Sequence, residues 1–501
     1  MSRFSSRTSW DVGESSYAAA VREARASGRP LYDLTISNPT RCGFAYDARA
    51  LLGPLADARA LVYDPDPRGM RVAREAVAEY YAGHGAAVGA DELVLTTSTS
   101  ESYSFLFRLL CDPGDEVLVA QPSYPLFDFL ADLDDVRLRP YPLFYDHGWW
   151  IDFAELERAI TPRTRAVIVV HPNNPTGHWT GAAERERLEA VCARHGLALV
   201  VDEVFLDYGL GMKHVAGAKA PECKAVDAGT KVPAYPMQGR IGEVPAYPMH
   251  GRVGEVGAYP MQGRAGEVAA YPMRGAGVGE VPAYEEPNPP AMVEGSADQE
   301  PGPPAMAEVP AGAARSFACG EHPALTFVLS GLSKIAGLPQ MKAAWIAALG
   351  PERARAEALG RLEIVADTFL SMNAPVQLAM GSWLAGAWAM QRQIRERARG
   401  NLATLRRMAE ETPGRLQVLE VAAGWSAVMG LPRCVGDVDC AEGLVRERGV
   451  VVHPGGFYGM AEQNRVVVSL IGPGAEFEEG IRVATSEVFG VEKVQVLDEL
   501  K

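Results

Sequence analysis

Three short stretches of this sequence carry residue types that could do chemistry together. Lys334 stands in GLSKIAGLPQMK (331–342), directly after the apolar run LTFVLS. A lysine at the end of a buried strand is placed where α/β folds present functional groups, and its amine can hold an aldehyde as an imine. Asp202 follows the apolar run LALVV, and a carboxylate there is costly without a cationic partner. Ser98, Thr99 and Ser100 sit between a β-type run and a helical one, where backbone N–H groups and hydroxyls can meet an anion. Each residue also has a plainer role open to it. Most lysines are solvated, an Asp after a strand can cap a helix, and Ser or Thr before a helix is an ordinary N-cap.

The elements that would position them can be read from the pattern. RVAREAVAEYY (71–81) and Ser102 to Leu110 have helical periodicity. Glu116 to Ala120, Ala166 to Val170 and Leu197 to Val201 are continuous apolar runs bounded by turns, as in strands buried on both faces of a mostly parallel sheet. Leu93 to Thr97, Leu325 to Ser330 and Ala343 to Leu349 add further strands, and long helices are expected over 351–368 and 377–411. The C-terminal part alternates strands (Leu416 to Val421, Gly449 to His453, Val466 to Leu470) with helices (Ala441 to Glu447, Phe477 to Phe489). The expected fold is α/β: a large domain with a mostly parallel sheet flanked by helices, plus a smaller α+β domain. The expected domains are an N-terminal arm with part of the small domain (1–50), the large domain in two parts (51–210 and 324–350), and long helices with the C-terminal small domain (351–501). Residues 211–323 break the pattern. They are rich in Pro and Gly and repeat VPAYPMQGRIGE, with Tyr235, Tyr247, Tyr259, Tyr271 and Tyr284 spaced by 12, 12, 12 and 13. Units so short and so rich in Pro and Gly cannot bury a core, so a disordered surface insertion is expected rather than a solenoid.

Composition narrows the classes. The formal net charge is −15 with no basic block, a poor match to nucleic acid or an anionic membrane. No run of 18 apolar residues and no apolar leader is visible, so a cytoplasmic protein is expected. The seven cysteines are scattered and never spaced as CxxC, so neither a zinc site nor a disulfide framework is expected.

Taken in order, Tyr63…Gly69, TTSTSESY (96–103), PSYPLF (122–127), HPNNPTG (171–177), VDEVF (201–205) and GLSKIAGLPQMK (331–342) resemble the class I/II aminotransferases, the fold-type-I enzymes that use pyridoxal 5′-phosphate (PLP). The resemblance runs from about Asp33 to Phe489 outside the insertion. It implies that Lys334 carries PLP as a Schiff base and moves a proton during catalysis. It also implies that Asp202 partners the pyridine nitrogen and that Ser98, Thr99, Ser100 and Lys342 hold the phosphate. Tyr124 would stack on the ring, Asn174 would bond its 3′-oxygen, and Ser37 would lie over the substrate. Tyr63 would reach the phosphate of a neighbouring subunit, which makes a homodimer the expected assembly. The implied reaction moves an amino group between an α-amino acid and a 2-oxo acid. A PLP-dependent β-lyase or eliminase is the enzyme alternative, and a non-catalytic PLP-binding regulator the other.

The sequence departs from the family's pattern in four places. Lys342 stands where Arg is usual, which keeps charge but loses the forked geometry. Gly331 replaces a Ser, with Ser330 or Ser333 as candidates to compensate. Phe205 replaces a Tyr, and Tyr208 is a doubtful substitute. Val467 occupies the position of the Arg that binds the substrate carboxylate. Arg465 lies two residues upstream on the same strand face, so it is the expected substitute; a solvated edge arginine is the plainer reading.

Overall fold

The computed structural model describes residues 4–211, 316–370, 372–431, 436–460 and 464–486. The expected repeat insertion lies almost wholly outside them. An eight-stranded sheet runs in the order 93–96, 344–349, 326–331, 198–202, 164–170, 116–121, 137–145 and 149–151. The five strands Thr326–Gly331, Ala198–Asp202, Thr164–Val170, Glu116–Gln121 and Arg137–Tyr145 are mutually parallel. Ala344–Leu349 is antiparallel to Thr326–Gly331 and to Leu93–Thr96.

Both faces of this sheet are buried, which is why its central strands read as unbroken apolar runs. On one face Val94, Ile168, Val200 and Phe327 pack with Phe105 and Leu106 of helix Thr99–Leu110 and Leu362 of helix Glu352–Phe369. On the other, Leu95, Val167, Leu199 and Val328 pack with Leu188 of helix Ala182–His195 and Val77 of helix Arg71–Gly83. Helix Ala374–Glu411 is 38 residues long, capped by Asn373, whose side chain accepts from Val376 N. Its buried Met380, Trp383, Ala387, Met390 and Ile394 recur every three or four residues and tie the two domains into one core.

The small domain has a four-stranded antiparallel sheet in the order Gln417–Val418, Ser426–Gly430, Arg465–Ser469, His453–Pro454. Tyr32–Asp33 pairs in parallel with Val450–Val451, and helices Ser16–Ala26, Asp437–Arg448 and Gly474–Thr485 complete the layer. The strand expected over Leu416 to Val421 shrinks to two residues, and the one expected over Gly449 to His453 splits between two sheets. Arg137–Tyr145 is a strand that was not among those expected, and its Pro140 and Pro142 cannot donate to a ladder. Both precede the stretch that pairs with Trp149–Ile151, so their missing N–H groups interrupt no bond on that side.

One boundary moves. Residues 316–323 were assigned to the insertion, but Phe317 is fully buried and Ser316 and Ala318 nearly so. The Glu203 carboxylate accepts from Ser316 Oγ at 2.7 Å and Phe317 N at 2.5 Å, and Arg185 donates to the carbonyls of Ser316, Phe317 and Cys319. This segment belongs to the large domain. Cys42, Cys111, Cys192 and Cys319 form no disulfide, whereas Cys440 is disulfide-bonded, which its spacing did not suggest.

Candidate active site

A cavity of about 280 Å3 opens at the carboxyl ends of the parallel strands, between the large sheet and the small domain. Loops at these strand ends are where open α/β sheets place ligands. Lys334, Asp202, Ser98, Thr99, Ser100, Tyr124, Asn174, Lys342 and Ser37 all line it. Tyr63 and Arg465 do not.

Asp202 is the last residue of its strand and is buried. Its carboxylate accepts from Val204 N at 3.1 Å and from the Tyr103 hydroxyl at 3.2 Å. Burial pushes its pKa up to about 6, against the pull of these two donors and of the Lys334 charge. Lys334 lies in the single turn Leu332–Ile335 after strand Thr326–Gly331, the neighbour of the Asp202 strand. Its Nζ sits 5.1 Å from the Trp425 ring centre and 5.9 Å from that of Phe205. Burial lowers its pKa to about 8, with Asp202 pulling the other way. An amine so placed is more often neutral, hence nucleophilic, than a solvated lysine.

Ser98 caps helix Thr99–Leu110: its Oγ accepts from Glu101 N at 3.1 Å, and Glu101 in turn accepts from Thr97 N and Oγ1. The plain capping role is therefore realised for the Ser98 side chain, while Thr99 and Ser100 open the helix on the cavity side. Lys342 adopts a left-handed conformation (φ +53°, ψ +60°) after Pro339–Met341, unusual for a residue with a side chain. Ala344, two residues on, pairs with Thr96, which brings Lys342 to the end of the cavity where Ser98 to Ser100 lie. Asn174 Oδ1 accepts from Ser426 Oγ at 3.3 Å. Gly177, at φ +69°, lets that turn approach the small domain; a Cβ there would lie 2.7 Å from Ala423 O.

Arg465 is corrected by the geometry. It does share a face with Val467, which lines the cavity, but two residues of strand carry it roughly 7 Å away, and its Nη1 donates to Gln417 at 2.8 Å instead. Ser333 reaches the cavity, while Ser330 Oγ is buried and unpaired, so of the two candidates only Ser333 faces the site. Tyr208 does not face it either: its hydroxyl donates to the Lys334 carbonyl at 2.5 Å. Tyr63 is 81% exposed beside Leu61 and Val62, in a separate surface depression. Sequence reasoning missed Tyr103, Trp425, Ser426, His453 and Tyr458. Tyr103 alone left a signal, four residues after Thr99 and therefore on the same side of the helix.

Residues 49–233 match the family model for aminotransferase class I and II. Among curated proteins, the arginine–pyruvate transaminase of Pseudomonas aeruginosa is 32% identical over 157 residues, 31% of this chain and 40% of that protein. The glutamate–pyruvate aminotransferase of Haemophilus influenzae is 26% identical over 216 residues, 42% of this chain and 53% of that one. Over that stretch the chain is similar to the class I and II aminotransferases. The matched stretches span about half or less of these relatives' lengths. In fold the likeness is wider. An alanine aminotransferase from Pyrococcus furiosus superposes with a TM-score of 0.69 at 17% identity, covering 96% of this chain and 98% of that one. The Thermus thermophilus aspartate aminotransferase with maleate gives 0.65 at 19%, covering 96% and 99%. The fold is that of the fold-type-I PLP enzymes.

This family is PLP-dependent, and the residues present fit that group. Among the described residues Asp202 forms no ion pair, so a buried carboxylate is left facing the cavity as a partner for a protonated ring nitrogen. Lys334 supplies the amine, and the helix start at Thr99 with Lys342 supplies donors and charge for a phosphate.

Proposed function

We propose that this protein is an aminotransferase that uses PLP on Lys334 to move an amino group between an α-amino acid and a 2-oxo acid, as a homodimer in the cytoplasm. One observation carries the reading. Asp202, buried at the end of its strand, and Lys334, in the turn just after the adjacent parallel strand, both face one cavity.

When bound, PLP supplies an electron sink next to the amine carbon. The rest follows from this chain's residues. Lys334, whose pKa burial lowers to about 8, would hold the cofactor's aldehyde as an imine and, once displaced by the substrate amine, would carry the proton between the substrate's α-carbon and the cofactor's former aldehyde carbon. Asp202 keeps a proton on the ring nitrogen, and the Tyr103 hydroxyl and Val204 N–H fix the orientation of its carboxylate. Ser100, Thr99 and Lys342 anchor the phosphate. Phe205 and Trp425, ring centres 5.0 Å apart, pack beside the Lys334 amine.

Borohydride treatment of the PLP-loaded protein followed by peptide mapping is expected to place the label on Lys334. Lys334→Ala is expected to abolish it and to lower kcat by at least roughly 10^3-fold. Label on another lysine sinks the assignment. Release of ammonia in place of transfer to an oxo acid identifies an eliminase. The dimer is supported by the exposed Leu61, Val62 and Tyr63, an apolar ridge suited to a second copy; a monomer by light scattering overturns it. The free thiols support a reducing compartment and the Cys440 disulfide opposes one, and cell fractionation decides between them.

A further inference from the structure

Resting on that reading, the cavity must also accommodate the carboxylate that every α-amino acid and 2-oxo acid carries. A carboxylate taken out of water needs a cation or a dense set of donors. Among the described residues that line the cavity, three can carry positive charge: Lys334, Lys342 and His453, with no arginine. Lys334 and Lys342 both lie on the large-domain wall, one for the cofactor aldehyde and one at the Ser98 to Ser100 end. Only His453 lies on the small-domain wall.

Its place there is specific. His453 pairs in register with Val467 across the antiparallel sheet, and both line the cavity. Paired residues of an antiparallel sheet share a face with their Cβ atoms about 5 Å apart. The imidazole therefore stands beside the strand position from which Arg465 is displaced. Its Nδ1 lies 3.0 Å from the Tyr458 hydroxyl, and Tyr458 lines the cavity as well.

Among the described residues, the charged group that acts on it is Asp33. It comes from the strand Tyr32–Asp33 and is itself bonded by Arg25 and Thr35. Phe457 packs at 6.2 Å between ring centres, and Tyr17 is bonded to the Val452 carbonyl next door. Burial holds His453 neutral, its pKa down at about 4, with Asp33 drawing it upward.

We propose that His453 binds the substrate's carboxylate, taking up a proton from solvent as the carboxylate arrives, with the Tyr458 oxygen accepting from Nδ1–H in the charged state. An incoming negative charge raises the imidazole's pKa, so binding and protonation are linked. Affinity then falls with rising pH, roughly tenfold per unit, from the pKa of the free site up to that of the occupied one. Above the latter it levels off.

The test uses the PLP-loaded protein and an unreactive acid, 3-phenylpropionate, with 3-phenylpropanamide as its neutral counterpart. Calorimetric titration in two buffers of different ionisation enthalpy, between about pH 5.5 and about pH 7.5, counts protons. The expected result is close to one proton taken up per acid and none for the amide. The cofactor's visible absorbance, followed in parallel, separates any proton gained at Lys334 from the one at His453. His453→Gln is expected to lose the uptake and weaken the acid roughly tenfold at the acid end of the range. His453→Arg is expected to bind it with no pH dependence. No proton uptake in the wild type, or uptake that survives in His453→Gln, overturns the proposal, and the wild-type count decides even if a variant does not fold. A protein that gives no borohydride label at Lys334 sinks the underlying reading instead, and does so before any acid is added.

Discussion

The two walls of the cavity are built from different material. The large-domain wall stands on the ends of parallel strands buried on both faces, and it holds Lys334, Lys342 and Asp202. The small-domain wall comes from short antiparallel strands and turns, and its Trp425, Ser426, His453, Tyr458, Val467 and Ser469 are neutral as folded. Ionisable side chains are concentrated where the backbone is held from both sides, and on the opposite wall the one imidazole is held neutral by burial. A second contrast sits inside the first. Asp202 and Glu203 are neighbours in sequence, both buried, with pKa values pushed up by burial to about 6 and about 7. Yet Asp202 faces the cavity, while Glu203 is turned to the chain itself, gripping Ser316 and Phe317. Of two adjacent acids in similar surroundings, one is available for chemistry and the other for tying down a segment.

The strongest way to break that contrast is to remove each acid. Asp202→Ala is expected to lower kcat roughly 10^3-fold, as loss of a preorganised charge does, with little change in melting temperature. Glu203→Ala is expected to do the reverse: a stability loss of about 2–4 kcal/mol in urea denaturation, because the Phe317 N–H loses its buried partner, with PLP uptake retained. Similar losses of stability in both variants would show that the two acids do the same job.

Glu203 also titrates with a definite sign. Its folded pKa lies above the ordinary value of 4.5, so the folded chain holds the proton more tightly than the unfolded one. The stability it contributes is full below pH 4.5 and is lost as pH rises through about 7. Glu203→Gln, which keeps the shape without the charge, is expected to flatten the fall in urea midpoint across that window; an unchanged slope points to another group.

Gly331→Ser tests how tightly the Lys334 wall is packed. A Cβ at 331 would lie 2.8 Å from Ala344 Cβ and 2.9 Å from Ala343 O, so the variant is expected to lose about 1–3 kcal/mol, with Ala344→Gly recovering part. Equal stability would mean the two strands can separate. The smallest effect concerns Phe205, packed edge-on against Trp425. Phe205→Tyr is expected to lower the pH midpoint of the cofactor's absorbance by about a unit or less, through a new hydroxyl donor. An unmoved midpoint shows that the hydroxyl does not reach the ring.

The large-domain wall was legible in the sequence because its residues sit in contiguous runs: an apolar strand followed at once by the functional side chain. That held for Lys334, Asp202 and the Ser98 to Ser100 turn. The small-domain wall was not legible, because His453 and Val467 meet only through pairing between strands too short to show a period. The face argument for Arg465 was right about side and wrong about reach, since alternation fixes which face a residue is on but not how far along the strand a cavity extends. Arg137–Tyr145 stayed hidden behind two prolines that only its pairing pattern makes tolerable. The edge of the insertion was misplaced because Ser316 to Cys319 are small or isolated residues whose burial comes from Arg185 and Glu203, more than a hundred positions upstream.

The chain is fastened on both sides of residues 212–315. On one side Arg399 donates to the Gly209 carbonyl and Leu210 N to the Ala422 carbonyl. On the other stands the Arg185 and Glu203 clamp at Ser316 to Cys319. One anchorage is made to the long helix and the small domain, the other to the large domain. A protein engineer can treat Gly211 and Ser316 as two anchored ends between which foreign cargo is grafted.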